Sequence, residues 1–233
     1  MNRGELVKRV SRLLGMGADP THGSDDLELL QDLADEAIKD ILARTRLQVR
    51  CVDITLTEGQ DEYELGDDVL QLHTLTRGDK ELTEYMAGDV GRSGSYTYGV
   101  VGYNRLVLGW SPTSEESGLE LKAWYTRQPT PMTDDAHDPS DAVYGGVPVE
   151  FHQAIVNYMA WHAADVVGDA GSGRGEKYRI LYEGQDGQGL MGSNIGKIRL
   201  AINRRAKSGS SRARLPRAGT IGIIDVDRDY FRG

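Results

Sequence analysis

The side chains of Asp134, Asp135, His137, Asp138 and Asp141 form a compact cluster of potential metal ligands. Carboxylate oxygens and an imidazole at this spacing are a donor set for a divalent cation. The segment lacks the glycine and the terminal glutamate of a calcium loop, however, and aspartates at such offsets also build turns and cap helices. Turn formation is the expected role. A second candidate is Gly171-Ser-Gly-Arg-Gly-Glu-Lys177, which has the glycine density of a phosphate-cradling loop. That loop requires Gly-Lys-Ser/Thr at its end and a strand before it; here Glu176 interrupts the order and a helix precedes it. A helix–helix turn is expected instead.

The histidines add no recognisable chemistry. His152 and His162 lie ten residues apart on one predicted helix, on poorly aligned faces, and His162 is expected to pack in a core. His22 and His73 fall in a loop and a strand with no acidic or serine partner at a recognisable spacing. Nucleophile elbow, zinc-protease helix and paired-carboxylate patterns do not occur. The sequence therefore indicates no catalytic residue, no cofactor and no metal site.

Charge is distributed unevenly. The 233-residue chain has a net charge of −9. Residues 204–233 carry eight basic and three acidic side chains, leaving 19 basic and 33 acidic in the first 203. Arg204, Arg205, Lys207, Arg212, Arg214 and Arg217 sit among Ser, Gly and Pro, a stretch too polar to fold alone. After it comes an apolar, β-branched run, Thr220-Ile-Gly-Ile-Ile-Asp-Val226, of strand character. Two readings stand: a disordered tail, or a strand donated to another subunit from the end of a basic arm. In the second, Arg204, Arg205, Arg212, Arg214, Arg217, Ile221, Ile223, Ile224, Val226, Tyr230 and Phe231 are the docking residues. The acidic body disfavours general nucleic-acid binding, which needs clustered Lys and Arg.

Composition sets further bounds. Cys51 is the only cysteine, so no intrachain disulfide or cysteine zinc site can form, which suits folding in the cytosol. The first fifteen residues are amphipathic and charged, without a signal-peptide core, and no stretch approaches a membrane span.

Helical periodicity over residues 3–14 places Leu6, Val7, Val10, Leu13 and Leu14 on one face. Ser24 caps a second helix whose stripe is Leu27, Leu30, Ala34, Ala37, Ile38, Ile41 and Leu42, with Asp25, Asp26 and Glu28 in its first turn. From about residue 48 the pattern becomes β-branched and alternating. Strands are expected at 49–56, 63–65, 69–75, 105–110 and 119–125, with a short helical turn at 81–86. Residues 88–102 read as a glycine-rich projecting hairpin. Its Tyr96, Tyr98 and nearby Tyr103 are either contact residues or ordinary hairpin packing. Pro148 opens a helix bearing Phe151, Ile155, Tyr158, Met159, His162 and Val166. The last helix is expected to begin near Glu176 and close with Ile195, Ile198, Leu200 and Ile202, resuming by Ser193 after a possible break between Gly184 and Gly192.

These elements make an α+β chain: a bundle of about four helices, an inserted antiparallel β unit and an extended tail. The expected segments are 1–47, 48–127, 128–203 and 204–233.

In this order the elements resemble the head-to-tail connector (adaptor) proteins of tailed bacteriophages. The likeness is carried by the helix Leu27–Leu42, by Tyr63-Glu-Leu-Gly-Asp-Asp-Val-Leu70, and by 119–125 followed by a Pro/Asp loop and the helix from Pro148 to Tyr158. In such proteins the second motif is Tyr-x-Leu-Pro-x-Asp; here Gly66 stands where proline is usual. The resemblance implies a ring of about twelve subunits in the neck of a virion, closed by head-to-tail contacts. The ring would lie between portal protein and tail or stopper protein, around DNA that passes without specific binding. It also implies a C-terminal segment that docks onto the portal or a neighbouring subunit. A tail-completion or neck protein that binds the tail end is the alternative. A hydrolase using carboxylates of the 134–141 loop is a third reading, although nothing in the sequence implies the cleft it would need.

Overall fold

The computed structural model describes residues 1–16, 24–85, 97–102, 104–167, 174–185 and 192–208. The described residues hold five α-helices and eight β-strands, an α+β protein. They fall into two compact units: Met1–Leu47 with Pro129–Ser208, and a β unit within Gln48–Gln128.

The first unit is the helical bundle. Helix α1 (Arg3–Leu14) starts in a capping box: Asn2 Oδ1 accepts from the Glu5 amide at 2.9 Å, and the Glu5 carboxylate accepts from the Asn2 amide at 3.1 Å. It stops at Gly15, whose φ of 79° lets the Met16 amide reach back to the Ser11 carbonyl at 2.9 Å. Helix α2 (Ser24–Thr45) buries Leu30, Leu33, Ala34, Ala37, Ile38, Ile41 and Leu42. Helix α3 (His152–Val167) packs on α1, α2, α4 (Arg174–Glu183) and α5 (Asn194–Ser208), and buries Ala154, Ile155, Val156, Met159, Ala160 and Ala163. The small residues allow close helix approach. Closer still is Gly145 in the preceding loop: with φ of 125°, a Cβ there would lie 2.4 Å from Ile38 Cγ2. Only glycine fits.

The last helix breaks within the expected interval between Gly184 and Gly192: Gly184 (φ 102°) takes the left-handed conformation and its amide bonds the Ile180 carbonyl at 2.9 Å, ending α4. Ser193 then starts α5, its Oγ accepting from the Gly196 amide at 3.0 Å. Arg204 and Arg205 do not begin an extended segment; they lie in α5, which runs to Ser208 through good helix formers.

The second unit is built from two four-stranded sheets. One has the order β1 (Val49–Thr55), β8 (Glu120–Arg127), β3 (Val69–Arg77), β4 (Lys80–Glu81). The other has β2 (Glu62–Glu64), β7 (Arg105–Leu108), β6 (Thr97–Val101), β5 (Thr83–Glu84). All pairs are antiparallel except β5 with β6. Their inward residues share one core: Leu56, Tyr63, Leu65, Val69, Leu75, Leu82, Tyr98, Leu106, Leu108, Leu121, Ala123 and Tyr125. The expected helical turn at 81–86 is instead β4 and β5. The chain passes from one sheet to the other at Leu82, which is buried and donates its amide to the Leu75 carbonyl at 2.8 Å. The apolar side chain at that single position outweighs helix propensity.

Candidate partner interface

The Asp134–Asp141 loop is a dock for the start of α1. The Asp134 carboxylate accepts from the Ala136 amide at 2.8 Å, and Asp138 Oδ1 accepts from the Ser140 amide and hydroxyl at 2.8 and 2.7 Å. These are turn-forming bonds. The Asp135 and His137 carbonyls accept from the Gly4 and Arg3 amides at 3.0 and 2.8 Å, satisfying two of the donors that a helix start leaves open. Among the described residues, no group of three or more His, Cys, Asp or Glu is arranged to hold a metal ion.

His152 completes this dock. Its Nε2 lies 2.9 Å from the Val147 carbonyl, an acceptor, so Nε2 carries the proton. Nδ1 then accepts from the Met1 amino group at 2.9 Å. Burial pushes the imidazole pKa below its ordinary value against the opposing pull of the Val147 bond, leaving a neutral ring. Burial pushes Asp138 up, but the Ser140 bonds and the nearby amino group outweigh it and hold the carboxyl low.

A second polar network joins α2, α4 and α5. Arg44 pairs with Asp40 at 2.9 Å and with Glu183 at 2.8 Å, Tyr182 donates to Asp40 at 2.6 Å, and Arg199 donates to the Arg44 carbonyl at 2.6 and 2.9 Å. Burial, with Asp40 and Glu36 nearby, pushes the Tyr158 phenol up to about 12. His162 stacks against Tyr158 and Trp161, with ring centroids 4.3 and 4.2 Å away. All of this is bundle architecture.

The sequence candidates fall in three places. Residues 209–233, with Arg212, Arg214, Arg217, Ile221, Ile223, Ile224, Val226, Tyr230 and Phe231, lie outside the described residues, as do Tyr96, Tyr103 and the loop 168–173. Arg204 is exposed on α5. Tyr98 is corrected as a loop contact: it is 2% exposed, in β6 opposite Leu108, inside the β-unit core. Packing consumed that tyrosine because the strand begins at Thr97.

What residue patterns did not single out is the edge of β1. Among the described residues this strand is last in its sheet and pairs only with β8. Cys51, Val52 and Asp53 are exposed on it. Its β-branched alternation was visible in the sequence, but its edge position depends on the order of strands.

The described residues form a helical bundle and a small two-sheet β unit, and the polar clusters described in the bundle hold its helices together. The model of the SU10 adaptor protein family matches residues 1–212, and the chain belongs to that family of phage head-to-tail adaptors. It is thus a structural component of a phage virion. The curated proteins contain no match to it. No helix among the described residues is long and apolar enough to cross a membrane.

Proposed function

We propose that this adaptor forms a ring of about twelve subunits between the portal protein and the tail, around the path of the DNA. The observation that carries this reading is the adaptor-family match across residues 1–212, which takes in the bundle and the β unit together. The acidic body supports a channel role: DNA slides past surfaces that repel its phosphates. The basic, strand-forming C-terminal segment is the docking element, held by the portal or by a neighbouring subunit. Its residues are Arg212, Arg214, Arg217, Ile221, Ile223, Ile224, Val226, Tyr230 and Phe231, with Arg204 and Arg205 in the last turns of α5 leading into it. The protein acts by binding, without catalysis.

The test is co-purification of the full chain, and of a chain ending at Ser208, with the portal protein and separately with the tail protein. The full chain is expected to retain the portal, and the shortened chain to lose at least tenfold in affinity, about 1.4 kcal/mol. Capture by the tail protein alone would instead make this a tail-completion protein. Undiminished portal binding by the shortened chain would remove portal docking from the C-terminal segment and leave a neighbouring subunit as its acceptor.

A further inference from the structure

Among the described residues each sheet of the β unit has two edges, and three of the four are very short. Strands β4 and β5 have two residues each and β2 has three. Short edges are poor templates for further pairing. The fourth edge is β1, seven residues long, without proline, and in unbroken register with β8 from Val49↔Thr126 to Thr55↔Glu120. The Leu56 amide donates to the Leu119 carbonyl at 2.8 Å, so residue 56 faces its partner across the ladder. Alternation along an antiparallel strand then turns the backbone groups of Thr55, Asp53, Cys51 and Val49 away from β8. The strand also leaves Val52 38% exposed. A long, regular edge of this kind is a site for strand addition.

We infer that the β1 edge, Val49–Thr55, receives the segment Thr220–Val226 of a neighbouring copy of this chain, so that each subunit of the ring donates one strand and accepts one. The inference rests on the proposed ring. Three features select this occupant. The donor run has seven residues, the length of β1, and it is rich in β-branched side chains. Eleven residues separate it from Ser208, the end of α5. Fully extended, that connection spans ~40 Å, enough to reach another subunit. The connection carries Arg212, Arg214 and Arg217 and no acidic residue, whereas residues 48–128 hold 14 acidic and seven basic side chains. Opposite charge draws the arm to the acceptor unit. Strand donation from one copy to the next is a heterologous contact, the kind that closes a ring.

Cys51, the sole cysteine and exposed on the acceptor strand, provides the probe. Full-length chains bearing Ile221→Cys, Ile223→Cys or Ile224→Cys are assembled with the portal protein, examined by mass photometry, and treated with a short bismaleimide. Denaturing gels are expected to show covalent dimers and higher multimers of the chain for at least one variant, and none when Cys51→Ser is added. Rings that give no chain-to-chain product, or only a product within one chain, would overturn strand exchange and leave the ring intact. Absence of rings would overturn the ring itself, and strand exchange with it.

Discussion

At the scale of the residue, the cluster with the most chemical potential proves to be a structural clasp. Asp138 and His152 hold the turn and the start of α1, and both are tuned for it. An imidazole whose pKa in the fold lies below 6.5 stays neutral while the unfolded chain takes up a proton. Its contribution to stability is complete above 6.5 and declines as the pH falls through that value toward the folded pKa. Asp138, held below 3.8, contributes above 3.8 and loses that contribution only as the pH falls through its folded pKa. Between these windows the histidine acts alone of the two. Urea unfolding at about pH 7.5 and about pH 5.5 is expected to show a lower midpoint in acid, and His152→Gln to flatten the difference. An equal fall in the variant would place the acid sensitivity elsewhere. The residue types of this loop were plain in the sequence. Their use was not, because the groups they serve, the amides of Arg3 and Gly4, lie over 130 positions away in the chain.

At the scale of the element, local signals and tertiary packing contribute unequally. Helices α1, α2 and α3 form where apolar spacing places them, although Leu13 and Val166 of the expected stripes are exposed, and strands form near each of the five expected segments after residue 48. Where glycines are dense, the possible break between Gly184 and Gly192 is realised by a left-handed Gly184 and a Ser193 cap. The helical turn expected at 81–86 gives way to β4 and β5, whose two-residue strands have no period of their own. What makes them strands is Leu82, seated in the core shared by both sheets. Leu82→Ala is expected to destabilise the protein by about 2–5 kcal/mol, the cost of removing a buried leucine side chain. Chemical denaturation checks this, and a loss under about 0.5 kcal/mol would mean that Leu82 does not bind the two sheets together. Tyr98 belongs to the same lesson. A tyrosine beside glycines suits a contact loop or a core equally well, and the Tyr98–Leu108 pairing decides for the core.

At the scale of the whole molecule, the chain is a phage adaptor, and the proposed function places its specific chemistry in pairing with other chains. The acidic body, the basic C-terminal segment and the open β1 edge are complementary features of one sequence, and repetition of the subunit around a ring would let every copy use all three. Fold class and family resemblance were legible because element order survives in the pattern of apolar residues. The β1 edge was not, since no single residue marks it; it is defined only once the strand order is known. The central claim is the ring. Mass photometry of the purified full-length chain, alone and with its portal protein, measures it most directly. The expected result is a monomer or weak oligomer alone and a closed ring of about twelve copies once the portal is added. A chain that stays monomeric beside the portal at micromolar concentration would contradict the account.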